Sequence, residues 1–330
     1  MKTRPPGLAW IRYGDPIPPH QLRAAAGKFR AVVLQPWEED AAAFLKAADP
    51  SCTVLAYQCL SSVRTYEPGP RYSSGISPAQ ARTLGSFAGV PEWRGYPGHQ
   101  QQTVWDPQYQ AAWVESVVGW VQDSPFDGVM ADNDVFEDYY GTGLPAQLLR
   151  DGLNTLVIAA GEALRQVGKV LVPNIAESRR EAGRWATHSQ FGGGLEEVWL
   201  GWGTGTDERL ALHKDVAAQA ETLRAPGLTI ARTAGADNLG LAVAAAWVFA
   251  PGADVAVTAT DHDAYSGLPW MTVPDFGVPV GDVQRTPGVW AGAYWREFSG
   301  GRVALNLGVE PVRVYGRELG FCEYSWEFSR

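Results

Sequence analysis

Eight short apolar runs, most of them rich in Val, Ile or Thr, recur along roughly the first 260 residues of the chain. They cover residues 8–13, 31–35, 53–58, 128–132, 169–174, 192–199, 228–233 and 254–260. Gly, Pro, Asn or Asp stands at the ends of most of them, the signature of buried strands. Helical patterns fill the gaps at residues 38–48, 106–123, 145–167, 178–186, 206–223 and 239–249. Asp106 is a good N-cap and Pro107 suits the first helical position. Strand and helix in alternation give a parallel sheet, and eight such units over this length specify an α/β fold, the (β/α)8 TIM barrel. An open doubly wound sheet would usually carry a Gly-rich phosphate loop after its first strand, and none is present. The alternation lapses between residues 60 and 104, a long Gly-, Pro-, Ser- and Tyr-rich stretch that follows a strand's C-terminal end. A segment of that kind reads as a wall of a cleft or as a surface excursion.

The pattern changes again after Gly281. Residues 289–298, 302–307 and 312–315 alternate or run apolar, joined by Ser299-Gly300-Gly301 and Gly308-Val309-Glu310-Pro311. The expected organisation is a barrel over residues 1–281 and a small β-meander over 282–330 packed on it.

A net charge of −9 argues against a nucleic-acid partner, because phosphate binding needs a basic surface. No apolar run is long enough to span a bilayer, so no membrane partner is expected. The stretch Met1-Lys2-Thr3-Arg4-Pro5-Pro6 contains no secretory signal. The expectation is a cytoplasmic protein, or a secreted one if a leader has been removed. Three cysteines without metal-ligand spacing suggest buried thiols rather than a disulfide framework. Five His with no HExxH speak against catalytic zinc, and neither metal nor other cofactor is expected. Fourteen Trp are many for this length, and Trp37, Trp93, Trp105, Trp202 and Trp270 sit beside turn residues. Flat indole faces suit the C–H faces of sugar rings, although large aromatics also fill cores.

The chemistry centres on Asp127-Gly128-Val129-Met130-Ala131-Asp132-Asn133-Asp134. A strand that runs into Asp132 places a carboxylate where barrel enzymes keep their catalytic groups. Glycosidic cleavage needs an acid for the leaving oxygen and a carboxylate for the developing oxocarbenium carbon. The second carboxylate is expected at Glu197 on the sixth strand, with Glu196 as its rival. Alternation puts Leu195, Glu197 and Trp199 on one face, opposite Glu196, Val198 and Leu200, and the latter face suits packing against helices. The same rule puts Met130, Asp132 and Asp134 together, with Asn133 on the other side. Substrate contacts are expected from Trp37, Tyr57, Asn133, Asp134, Asn174, Trp199, Arg232 and Asp261, with Asp261-His262-Asp263 following the eighth strand. Asp132, Asp134 and Asp138 could offer oxygens to a metal, but the full calcium-loop pattern and its Gly are missing.

Phe126-Asp127-Gly128-Val129-Met130-Ala131-Asp132-Asn133 resembles the DG-apolar-apolar-apolar-DN signature of hypothetical glycosyl hydrolase family 15. Pro173-Asn174, Gly194-Leu195-Glu196-Glu197-Val198-Trp199 and the segment from Tyr294-Trp295-Arg296-Glu297-Phe298 to Asn306 extend the resemblance over most of the chain. That family looks related to endo-α-1,4-polygalactosaminidases and, further off, to α-galactosidases. The resemblance implies a barrel glycosidase with Asp132 as nucleophile and a Glu of the sixth strand as acid/base, two adjacent Glu standing where one acid is needed. The expected function is a glycoside hydrolase acting on α-linked sugars of a polysaccharide or oligosaccharide with retention. A barrel that binds carbohydrate without cutting it, and a metal-dependent lyase or isomerase, are the alternatives.

Overall fold

The structure is a computed structural model and describes residues 4–286 and 292–329. Eight parallel strands form its centre: β1 (Gly7–Arg12), β2 (Ala31–Leu34), β3 (Thr53–Cys59), β4 (Gly128–Asp134), β5 (Val170–Ile175), β6 (Gly193–Glu196), β7 (Leu228–Ala234) and β8 (Val255–Thr260). Their hydrogen-bonded order, β1-β8-β7-β6-β5-β4-β3-β2, closes on itself, so the fold is the (β/α)8 barrel expected from the alternation. By internal contacts the chain divides into two compact units. One comprises residues 12–27 and 32–195, the other residues 1–11, 28–31 and 196–330.

In the first unit β3 pairs with β4 from Leu55 opposite Gly128 to Cys59 opposite Asp132. Asp127 anchors the lower end of this pair. Its carboxylate accepts from the Val54 amide (2.8 Å) and from Lys46 Nζ (3.0 Å). Gly128 next to it is a close approach: a Cβ there would stand 2.1 Å from the Val170 carbonyl oxygen of β5. Helix Pro107–Val121 starts at Asp106, whose side chain accepts from the Gln108 amide, and the long helix Ala146–Gln166 buries Leu149, Leu153, Leu156, Ala160 and Leu164 as one face. Residues 60–104 are more ordered than their composition suggests. They hold an antiparallel ribbon, Ser62–Arg64 against His99–Gln101, and a helix, Pro78–Leu84, closed at its start by a Ser77–Gln80 capping box.

In the second unit β7 and β8 pair from Thr229 opposite Val255 to Ala234 opposite Thr260. Helix Leu239–Phe249 is buried at every position, which fits a sequence apolar all round. Such a helix needs cover on both sides. Strands β7 and β8 supply one side, and an antiparallel sheet supplies the other. That sheet runs β9 (Gln284–Arg285), β10 (Ala293–Phe298), β11 (Gly301–Asn306) and β12 (Tyr324–Phe328) in order, and it follows β8 where a further helix would complete the alternation. Trp247 makes edge contacts to Phe276 at 5.4 Å and Phe298 at 5.1 Å, and its indole N–H donates to the Pro274 carbonyl at 3.1 Å. Buried His213 binds across the same unit, Nδ1 lying 2.7 Å from the Leu307 carbonyl and Nε2 2.9 Å from that of Leu200.

Several local expectations give way. The run at 192–199 is strand only to Glu196; residues 197–200 turn, with Leu200 left-handed (φ 61°) and Gly201 N–H closing onto the Val198 carbonyl at 3.1 Å. The helix expected over 206–223 is two, Thr206–His213 and Val216–Leu223. The one expected over 178–186 becomes a short turn, Ser178–Arg180, and a helix, Arg184–Ser189, separated by left-handed Gly183 (φ 86°). Residues 289–291 of the strand expected at 289–298 lie outside the described residues. β9 and the strand Arg317–Leu319, paired with Val312–Val314, are too short to carry a readable pattern, and β12, aromatic at every second position, is a strand beyond those expected.

Replacing Gly128 with Ala should destabilise the protein by about 1–3 kcal/mol, because the new methyl meets backbone rather than a movable side chain. Urea unfolding at constant m-value checks this, and an unchanged midpoint would contradict the close approach.

Candidate active site

Asp132 lies near the C-terminal end of β4, two residues before its last, with its carboxylate gripped by four donors. Oδ1 accepts from Asn174 Nδ2 at 2.9 Å and from the Asn133 amide at 2.9 Å. Oδ2 accepts from the Tyr57 hydroxyl at 2.6 Å and from Asn133 Nδ2 at 3.1 Å. Burial pushes the Tyr57 hydroxyl well above its ordinary pKa, against the pull of the nearby Arg64 charge, so it serves as a neutral O–H donor. Arg64 Nη2 in turn donates to the Tyr57 oxygen at 2.8 Å, its guanidinium lying over the ring at 4.9 Å. Tyr13 meets the same ring edge-on at 4.8 Å.

The backbone at this strand end is irregular, and two expectations change with it. Asn133 is left-handed (φ 65°), and the pairing of β4 with β5 shifts register between Ala131 and Asp134. Simple alternation therefore fails, and Asp132 and Asp134 do not share a role. Asp134 is fully buried, bound by Arg184 Nη2 at 2.7 Å and by His188 Nδ1. It is a structural ion-pair residue and not the substrate ligand expected. The Asn133 side chain reaches Asp132 and Cys59 Sγ (3.3 Å) and accepts from the Tyr140 hydroxyl. Tyr140 stacks flat on Trp93, centroids 3.7 Å apart, within a set of rings that also holds Tyr96 and His99. Trp93 is thus buried framework, not an open sugar platform. Asp138 holds its own loop, accepting from the amides of Thr142 (2.9 Å) and Gly143 (2.7 Å).

In the other unit the two glutamates part company. Glu196 closes β6 with its side chain buried, Oε1 accepting from the Val198 amide at 3.2 Å. Glu197 lies in the following turn with its side chain 24% exposed. Its Oε1 accepts from the Tyr265 hydroxyl at 2.9 Å and stands 3.9 Å from His262 Nε2. Strand alternation cannot choose between them, because the strand stops between them. His262 Nδ1 is 3.2 Å from Asp263, and the exposed ring of Trp202 lies on the imidazole at 4.5 Å. The hydrogen bond to Asp263 raises the His262 pKa; burial opposes it and the Glu197 charge adds to it.

The remaining expected contacts fall into three groups. Trp37 (44% exposed) and Asp261 are open to solvent. Tyr57 and Asn174 are buried and act on Asp132. Trp199 and Arg232 are fully buried and are corrected as substrate ligands. The Trp199 ring packs edge-on to Phe249 at 6.0 Å, and Arg232 donates to the Thr260 carbonyl (2.7 Å), the Thr260 hydroxyl (3.3 Å) and the Glu197 carbonyl (3.3 Å). Arg64, Tyr140 and Tyr265 were missed. Tyr265 follows the Asp261-His262-Asp263 rim closely enough to have been suspected, whereas Arg64 and Tyr140 carry no periodic signal. Among the described residues no group of three or more His, Cys, Asp or Glu is arranged to hold a metal ion, and no helix is long and apolar enough to cross a membrane.

A closed parallel barrel with carboxylates at its strand ends is the architecture of the barrel glycoside hydrolases. The model of hypothetical glycosyl hydrolase family 15 matches residues 46–302, and the chain belongs to that family of enzymes acting on glycosidic bonds. Solved structures repeat the fold at low identity. A variant of the glycoside hydrolase domain of PelA from Pseudomonas aeruginosa is 14% identical, with a TM-score of 0.53 over 80% of this chain and 98% of that one. Ega3 from Aspergillus fumigatus, in complex with galactosamine, is 12% identical, with a TM-score of 0.52 over 83% and 96%. The maltogenic α-amylase AmyB from Thermotoga neapolitana is 8% identical, with a TM-score of 0.51 over 98% and 96%. No curated protein matches in sequence.

The raised pKa of His262 has a direct consequence for stability. A group whose folded pKa exceeds its unfolded value, about 6.5 for His, stabilises fully below that value and loses the contribution as pH rises through the folded pKa. The stability difference between the wild type and His262→Asn should therefore shrink above about pH 6.5. Urea unfolding of both proteins across pH 5 to 9 measures it; a difference that grows with pH would contradict the Asp263 and Glu197 contacts.

Proposed function

We propose that the enzyme hydrolyses an α-linked sugar chain with retention, using Asp132 as nucleophile and Glu197 as acid/base. The observation that carries this is the grip on Asp132: four donors fix both carboxylate oxygens at a barrel strand end. A nucleophile whose oxygens are oriented before substrate arrives needs little rearrangement at the transition state. Glu197 is preferred over Glu196 because it is the more exposed of the two and keeps a hydroxyl partner that can reorient as its protonation changes. Asp132 lies near the C-terminal end of its strand and Glu197 just past the end of its own, and strand C-terminal ends are where this fold carries its catalysis.

The reaction runs in two displacements. An Asp132 oxygen bonds to the anomeric carbon as the glycosidic C–O bond breaks, and the leaving oxygen takes the proton of Glu197. Water then bonds to the anomeric carbon, Glu197 takes a proton from that water, and the bond to Asp132 breaks. Exposed Trp202 and Trp37 suit sugar faces, and exposed Asp261 suits hydroxyls or an ammonium. An amino sugar is the favoured substrate class, given the net charge of −9 and the galactosamine complex of Ega3.

Reducing-end release should be screened on α-linked galactosamine-containing polymers and α-galactosides, with Asp132→Asn and Glu197→Gln beside the parent. Each substitution should lower kcat by about a thousandfold or more with the fold intact by circular dichroism. Product anomers followed by NMR should show retention. Unchanged turnover in either variant removes that residue from the mechanism, and binding without new reducing ends would favour a carbohydrate-binding barrel.

A further inference from the structure

Arg64 belongs to the ribbon Ser62–Arg64 in the excursion between β3 and helix Pro107–Val121, away from every motif that marks the site. It is nevertheless tied to the candidate nucleophile through one intermediary. Its Nη2 donates to the Tyr57 hydroxyl oxygen at 2.8 Å, and that hydroxyl lies 2.6 Å from Asp132 Oδ2. We propose that Arg64 is a positioning residue for the glycosidase reaction, fixing the direction of the Tyr57 hydroxyl so that its only proton goes to Asp132. The inference rests on the reading of Asp132 as nucleophile.

The reasoning is one of donor and acceptor counts. A guanidinium can only donate, and a phenol has one hydrogen and can both donate and accept. With Arg64 in place the Tyr57 oxygen must accept from it, so the phenolic hydrogen is free to point at Asp132. Without Arg64 the hydroxyl oxygen loses its donor, and the bond to Asp132 alone is left to fix its direction. The guanidinium is itself held. Glu67 lies 3.3 Å from Nη1, Ser73 Oγ takes a bond from the same nitrogen, and the Arg64 backbone amide donates to Ser74 Oγ at 2.9 Å. Glu67 is fixed by the Ser73 amide at 2.9 Å. The titratable and charged groups about the Tyr57 ring are Arg64, Asp132, Cys59 and Tyr13, and burial keeps both the Cys59 thiol and the Tyr57 hydroxyl neutral. Among these groups Arg64 is the cation. The long excursion thus reaches the site through its first strand, whatever else it contacts.

Three variants test this: Arg64→Met, which keeps bulk and removes every donor; Arg64→Lys, which keeps a donor; and Tyr57→Phe, which removes the intermediary. The expected result is a fall in kcat of roughly ten- to a hundredfold in Arg64→Met, the size seen when a partner of a first-contact residue is lost. The acidic limb of the kcat/KM profile should move to higher pH, with partial recovery of both in Arg64→Lys. Arg64→Met and Tyr57→Phe should be non-additive in the double variant, since both cut one chain. A lowered Tm with unchanged kcat and an unmoved pH profile would overturn the proposal and leave Arg64 a structural residue; so would additive losses. Should Arg64→Met fail to fold, Arg64→Lys and Tyr57→Phe decide the matter by the same pH profiles. Azide rescue of Asp132→Gly is run in parallel. If rescue fails and Asp132→Asn stays active, the nucleophile assignment falls; if rescue succeeds while the Arg64 profiles stay unmoved, only the positioning role falls.

Discussion

A carboxylate can accept four hydrogen bonds and donate none, and the first compact unit is arranged around supplying all four to Asp132. That demand explains features that otherwise look unrelated. Asn133 must give Asp132 both its amide and its side chain, and a regular strand would turn that side chain to the opposite face. The backbone meets the demand by entering the left-handed region at Asn133, a conformation Asn tolerates better than most residues, and the register of β4 against β5 slips at the same place. Past the slip Asp134 faces helix Arg184–Ser189, where its charge is covered by Arg184 and His188. A buried ion pair of this kind contributes little net stability, but removing one partner would leave a costly buried charge.

The barrel was legible because its signal is repeated. Each β-rich run is short, but eight in succession with helical gaps leave few folds, and the bounds of β3, β5, β7, β8 and helix Leu239–Phe249 fall close to where the apolar runs put them. What the pattern could not show was how a helix apolar on every side is covered. The answer is the sheet of β9 to β12, whose first edge strand is too short for periodicity to reveal. The breaks in the expected helices come from single residues, such as left-handed Gly183, rather than from any change of composition.

At the site, position was readable and connection was not. Asp132 and Asn174 could be picked out because strand ends are visible in sequence, and the structure joins them directly. Glu196 and Glu197 could not be told apart, because the alternation that would rank them stops at the peptide between them. Asp134, Trp199 and Arg232 looked like ligands for the same reason as Asp132, and burial assigns them elsewhere. Arg64 was invisible, lying in an irregular stretch whose only sequence mark was its lack of pattern.

His213 ties together two places that a reader of the sequence would keep apart. One of its nitrogens meets the carbonyl of Leu200, at the end of the turn that holds Glu197, and the other meets that of Leu307, just past β11. A neutral imidazole offers one N–H, so serving both carbonyls calls for the doubly protonated ring, which burial disfavours. The segment just past β11 and the turn that holds Glu197 thus share one buried ring, and an engineer who trims the chain after β8 to obtain a minimal catalyst would remove one of the two carbonyls that flank it.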